Sequence, residues 1–458
     1  MKSSHVDMLS GSIFKGLLSM TIPIMIMNVM QTLFGVIDMT VLGNLVNDTA
    51  VGAVGACGTL ITLCTSLLIG IASGANVAVA RHIGKGDREH AEKAVGCAVL
   101  FSLVGGFVLA VIGVSCAELF LGWTNCPEKL MPQAVVYFRI YFLGVPVIMF
   151  YNFCASILRS IGDTRRPMIF LIIGGFVKIL LSFSVITLFD MTVDGVAIAT
   201  VISNAIAGGL CFVVMLRSKD MIHFSFKNMK FYGSELKQML FIGIPTGLQS
   251  ALYSFANTVI VTAVNGFGPN ATTGLSIANQ FDGILYQIAH APSLAIIPYV
   301  AQNIGAKNIK RAKEAVFKSV IITIAFGASL GSLSAIFSGQ LSSLMSTTPE
   351  VIMYSQQKMI IVSSTYFICG INEVLAGALR GMGKPMIPTV ATFVFMCMLR
   401  FFWVYFVFPL CPTLTFLYLV WPIGWILCIT TELFVFFPTL SKLQKANNPI
   451  DVAKSAEI

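Results

Sequence analysis

Six ionisable residues stand inside stretches that are otherwise apolar: Asp38, Lys178, Asp282, Glu373, Arg400 and Glu432. Side chains of this kind in such surroundings can hold or release a proton, pair with one another, or attract a small cation. That chemistry moves ions and does not break bonds. Each costs at least roughly 2.5–3.5 kcal/mol at the centre of a bilayer, so each needs a reason to be there. Asp38 is the most suggestive, because Asn28, Gln31 and Asp38 fall within one broad helical face. Pro23 lies earlier in the same run and removes a backbone hydrogen bond, which permits the helix to bend. A carboxylate beyond a bendable segment can couple its charge to the shape of the helix. The plainer alternative is a carboxylate locked in a structural pair. Lys178 is the natural partner, since an unpaired buried ammonium would be costly, and its charge would then fill the place of a sodium ion. Glu373 and Arg400 are expected to pair, with Asp282 and Glu432 able to join them; a relay through Glu373 or Asp282 is the alternative. Gln31, Asn152, Asn204 and Asp282 are candidate cavity contacts, although amides at this depth commonly bond between helices.

The elements that must carry these residues follow from composition. Hydrophobic residues make up 56% of the 458 and charged residues 11%. A soluble chain would have roughly 25% charged. Twelve apolar runs are long enough to cross a bilayer, near 16–41, 52–80, 94–117, 133–158, 167–189, 194–216, 238–265, 272–303, 315–338, 351–379, 386–409 and 414–438. Strands of a membrane barrel would be shorter and alternating, so the expected fold is an all-α integral membrane protein.

The chain also repeats itself. Gly84, Ala91 and Ala94 recur at one constant offset as Gly305, Ala312 and Ala315. Leu158-Arg159, Gly162 and Pro167 recur at the same offset as Leu379-Arg380, Gly383 and Pro388. Basic residues crowd alternate loops, as in Arg81, Lys85, Arg88 and Lys93, and again in Lys307, Lys310, Arg311 and Lys313. This is the positive-inside pattern, and it places both termini in the cytoplasm. Both copies of the motif then face the same side, which requires an even number of spans per unit. Two six-helix lobes related by a pseudo-twofold axis along the membrane normal satisfy this. The expected division is an N-terminal lobe over 1–220, a linker over 221–237, a C-terminal lobe over 238–440 and a tail over 441–458. Met1 to Phe14 is polar and short, so no cleaved leader is expected.

Several functions are excluded. Net charge of +9 follows the loops and forms no nucleic-acid-binding stripe. No HExxH or phosphate-loop motif is present, so neither metalloprotease nor ATP-hydrolysis chemistry is expected, and no metal site or organic cofactor. Energy for any transport must come from an ion gradient. The eleven cysteines form no CxxC pair and read as small apolar residues.

Taken together, the residues resemble those of the multidrug and toxic compound extrusion (MATE) transporters. The resemblance rests on Pro23 with Asp38, Ile83-Gly84-Lys85-Gly86-Asp87, Arg159 with Gly162-Asp163-Thr164, the run from Gly195 to Thr200, Gln302-Asn303-Ile304-Gly305-Ala306, Leu379 to Gly383, Arg400 with Trp403, and Pro422 with Trp425. It implies twelve helices in two lobes that export organic cations in exchange for protons or sodium, Asp38 taking part in coupling and Pro23 acting as the hinge. One departure stands out. The family often carries an asparagine and an aspartate one helical turn apart in the fifth span, and those positions hold Lys178 and Ser182 here. One branch also carries an early tenth-span carboxylate; Cys369 falls there, with Glu373 one turn later, and no acid stands near Gln249. The expected protein is therefore a plasma-membrane antiporter with Asp38, Lys178 and Glu373 in cation coupling, protons ahead of sodium. It would act as a monomer, take organic cations and touch lipid. A flippase of lipid-linked precursors is the alternative, a receptor or assembly factor a further one, and an enzyme is not expected.

Overall fold

The structure is a computed structural model and describes residues 5–124 and 126–446. Among these, eighteen α-helices follow in order: α1 (Ile13–Leu45), α2 (Asp48–Lys85), α3 (Arg88–Ser115), α4 (Ala117–Trp123), α5 (Met131–Leu143), α6 (Val145–Ser160), α7 (Arg165–Phe189), α8 (Val193–Arg217), α9 (Gly233–Asn265), α10 (Pro269–Gly305), α11 (Ile309–Ile336), α12 (Ser338–Ser343), α13 (Pro349–Val362), α14 (Tyr366–Gly381), α15 (Met386–Thr392), α16 (Leu399–Phe402), α17 (Leu414–Tyr418) and α18 (Val420–Ala446). No strand occurs among the described residues. Eleven helical segments are long and apolar enough to cross a bilayer, and α5 with α6 makes a twelfth span bent by 46°. The fold class is that expected from the sequence. The expected tail over 441–458, Lys454 included, lies outside the described residues beyond Ala446.

The repeated motifs turn out to be helix punctuation. Gly86, at φ 73°, ends α2 in the left-handed region, and Asp87 then accepts a hydrogen bond from the His90 amide to cap α3. In the second copy Lys307 holds φ 60° and Asn308 caps α11 through the Arg311 amide. Gly162 and Gly383 likewise share positive φ values of 81° and 77°. Left-handed stops and side-chain caps satisfy the unpaired amides and carbonyls of helix ends. The short helices α4 and α12 obey the offset too: α4 begins at Ala117 and α12 at Ser338.

The chain forms two compact units. The first comprises residues up to Val6 and Ile26–Gly247; the second comprises Asp7–Met25 and the chain from Leu248 onward. Two of the three borders fall inside helices, in α1 and α9, and not at the loop ends the sequence suggests. Each lies just past a proline within its helix, Pro23 in α1 and Pro245 in α9. In the first unit α6 packs on α2, α3 and α8, and α7 packs on α8. In the second, α10 packs on α11, α13 and α14, and α14 on α18. Large apolar side chains such as Phe107, Leu180, Phe317 and Phe434 remain strongly exposed, as helices that meet lipid require.

Close approach of α10 and α14 depends on small residues. A Cβ at Gly377 would lie 2.8 Å from the Ser293 carbonyl oxygen, and one at Gly381 would lie 2.8 Å from that of Ile297. Glycines one turn apart are the small-xxx-small device that lets membrane helices touch backbone to backbone. Gly377→Ala is therefore expected to destabilise the folded protein by about 1–3 kcal/mol through overpacking. Gly283→Ala, where a Cβ meets nothing within 4 Å, serves as the control. Thermal unfolding in detergent separates the two; equal midpoints would mean that the helix pair relaxes freely.

Candidate functional site

In the first unit, α1 and α7 are drawn together by an aromatic ring resting on a glycine. A methyl group at Gly175 would collide with the ring of Phe34. Asp38 stands one turn beyond Phe34, and Lys178 one turn beyond Gly175. This contact therefore sets the two side chains face to face. Lys178 Nζ donates to Asp38 Oδ2 at 2.6 Å, and both residues are buried, at 8% and 9% exposure. On its other side α7 meets α8 through Gly174, where a Cβ would lie 2.7 Å from the Ser203 carbonyl oxygen. Ser182, one turn past Lys178, is also buried.

The remaining residues of the expected first-lobe site are placed differently. Gln31 is exposed. Asn152 and Asn204 are half-buried and donate to carbonyls of their own helices, those of Ile148 and Thr200, at 2.8 and 2.9 Å.

The second unit holds a pair that the sequence reading missed. Lys358 Nζ lies 2.7 Å from Asp282 Oδ2, and Lys358 also donates to Asn279 Oδ1. Ser363 Oγ donates to the other Asp282 oxygen at 3.1 Å, and Tyr366 donates to the Asp282 backbone carbonyl at 3.2 Å. Lys358 lies inside the expected span 351–379, so its signal was present: a lone ammonium in an apolar run. This pair borders a cavity of about 320 Å³ whose walls include Tyr253, Tyr286, Tyr366 and Trp421. The lysine ammonium stands 5.5 Å from the centre of the Trp421 ring.

Arg400 does not meet Glu373 as expected. Its guanidinium is fully buried, donates from Nη1 to Asn257 Oδ1 at 2.7 Å, and faces the rings of Tyr253 and Trp421 at 5.3 and 5.0 Å. Aromatic faces and an amide take the place of the carboxylate. Glu373 instead lies 3.6 Å from His290 Nε2, and that imidazole stacks on Tyr286. Glu432 is buried with Oε2 unpartnered among the described residues. Arg380, which falls just past the expected span 351–379, is 4% exposed and donates to Gln249 Oε1 at 2.7 Å.

π-Helical segments flank Arg400, at Phe393–Met398 and Trp403–Val407. A π-turn adds one residue to a helix and is frequent at functional sites. Arg400 stands one position past the place where the repeat offset would put the counterpart of Lys178, and the extra residue of a π-turn accounts for the shift. The two cations are thus counterparts on α7 and α16, one paired with a carboxylate and the other with an amide.

The family model described as MatE matches the chain twice, over residues 23–184 and 245–406. The chain belongs to the MATE family. Both matched segments open on the helix prolines, Pro23 and Pro245. Among its relatives, the probable multidrug resistance protein YoeA of Bacillus subtilis is 28% identical over 388 residues, covering 83% of each chain. The probable multidrug resistance protein NorM of Thermotoga maritima is 26% identical over 390 residues, covering 83% of this chain and 82% of its own. A solved outward-facing multidrug resistance MATE family transporter superposes with a TM-score of 0.88 at 19% identity, over 97% of this chain and 100% of that one. This MATE protein is accordingly a multi-pass helical membrane protein with the fold of that transporter.

Proposed function

We propose that this MATE protein exports amphipathic organic cations across the cell membrane in exchange for protons, by alternating access. The observation that carries the reading is the buried 2.6 Å contact between Lys178 and Asp38. As an ion pair the site is neutral overall. Protonating Asp38 leaves the ammonium charge alone, and an organic cation about 5 Å away would then be repelled by about 3 kcal/mol at an effective dielectric of about 20. Proton and substrate therefore exclude one another, which is the thermodynamic requirement for antiport. The ammonium also fills the position a sodium ion would need, and this favours protons as the coupling ion. Pro23, with its counterpart Pro245, supplies the flexible point of a helix that can bend when the pair opens. Glu373 beside His290 is a second group able to carry a proton in the second unit. The relatives' names support drugs as substrates, and family membership favours export over the flipping of lipid-linked precursors. Basic residues in alternate loops support cytoplasmic termini.

Uptake of a fluorescent organic cation into inverted membrane vesicles tests the reading. Accumulation is expected under an imposed proton gradient, is expected to collapse with a protonophore, and is expected to ignore sodium. Accumulation under sodium alone, or none under either gradient with folded protein present, would overturn it.

A further inference from the structure

Among the described residues of the second unit, Arg400 is a fully buried cation with no carboxylate in contact. Asp282 neutralises Lys358, and Glu373 lies against His290. Arg400 meets the Asn257 amide oxygen, the Tyr253 side chain by its ring and a hydrogen bond, and the Trp421 ring, while its Nε and Nη2 have no hydrogen-bond acceptor among the described residues. A guanidinium cannot shed its proton to escape this situation. These neighbours also line the 320 Å³ cavity: Asn257, Tyr253 and Trp421. The charge thus stands one layer of side chains behind the cavity wall, in surroundings where screening is weak. Trp421 lies against both cations, with Lys358 at 5.5 Å and Arg400 at 5.0 Å from its ring centre. The volume lies at the lower end of the range for small-molecule sites, about 300–1,000 Å³.

We propose that this cavity is a binding site for an aromatic organic anion. Its carboxylate displaces the Asn257 amide as the acceptor for Arg400, and its ring stacks among Tyr253, Tyr286 and Trp421. The site is separate from the Asp38–Lys178 pair and of opposite charge preference, and it does not rest on the export reading. π-Helical turns on both sides of Arg400 fit this role, since they aim one side chain at the cost of regular hydrogen bonding.

Asn257→Asp gives the sharpest test, because it keeps the side chain's shape and supplies Arg400 with its own carboxylate. Binding of 1-naphthoate and of the matching cation, 1-naphthylmethyl-trimethylammonium, is measured by calorimetry on the full chain in neutral detergent, with no gradient. Wild-type protein is expected to bind the anion saturably and in preference to the cation. Asn257→Asp is expected to weaken the anion by at least about tenfold, the worth of a charged hydrogen bond, while sparing the cation. Arg400→Gln is expected to lose the anion to a similar degree. Equal anion affinity in wild type and Asn257→Asp, or no saturable anion binding in wild type, would overturn the proposal. Repeating the titration in lipid discs with and without phosphatidylglycerol separates the two sources of anion. Unchanged affinity supports a soluble ligand, and loss of naphthoate binding in the anionic discs assigns the site to a lipid headgroup instead.

Discussion

Asp38→Asn is expected to bring proton-driven cation export down to the level of vesicles lacking the protein. Asparagine keeps the shape and can still accept a hydrogen bond from Lys178, so the 2.6 Å contact has a geometric substitute. What disappears is the charge that a proton can cancel, and with it the mutual exclusion of proton and substrate. The variant also leaves the buried Lys178 ammonium without a counter-ion. Removing one member of a buried pair costs about 3–5 kcal/mol, so a loss of transport alone would be ambiguous. The double variant Asp38→Asn/Lys178→Met resolves it by removing both charges. Its thermal midpoint is expected to recover most of the wild-type value, while gradient-driven export stays absent. Export by the double variant at wild-type rate would remove Asp38 and Lys178 from coupling and leave them a structural pair.

The second large effect lies in the other unit. Lys358→Met is expected to destabilise the protein by about 3–5 kcal/mol, because it strands the Asp282 carboxylate with one serine hydroxyl as its side-chain partner. For a domain of this size that is a fall of roughly 10 °C in unfolding midpoint. The exchange Asp282→Lys/Lys358→Asp restores both charges in reversed order and is expected to regain part of the loss. Thermal unfolding followed by size-exclusion chromatography reads all three proteins. A shift below roughly 2 °C for Lys358→Met would mean that water or another side chain compensates Asp282. Equal stability of the exchanged and single variants would show that the pair is not the source of the effect.

Much of the architecture is written in residues whose meaning is local. Apolar length, loop charges and the constant offset between the repeats are each one-dimensional, and they suffice for twelve spans and for a duplicated unit. Lys178 facing Asp38 was also readable, because two lone charges in one lobe have few alternatives. The second unit was less legible for a physical reason. It holds Asp282, Lys358, Glu373, Arg380, Arg400 and Glu432, and sequence order does not say which carboxylate answers which cation. Arg400 answers to aromatic faces instead, and no spacing rule marks a cation–π partner drawn from α9 and α18. The π-turns beside it are equally silent, because a one-residue insertion leaves hydrophobic periodicity nearly intact. Pro245 carried a signal that only the repeat reveals, standing one position past the counterpart of Pro23.

The two helices that begin in one unit and end in the other have a consequence for how such a molecule can be taken apart. A gene fragment ending in the loop after Arg217 would encode α1 entire, yet the opening turns of that helix belong to the unit encoded downstream. The fragment beginning at Gly233 has the reciprocal debt, since the first turns of α9 belong upstream. Neither half is a self-contained module, and the arrangement within one chain has the logic of a domain-swapped dimer whose subunits have been fused. The natural seams of this protein are two prolines inside helices, and its longest loop between the repeats is not one of them.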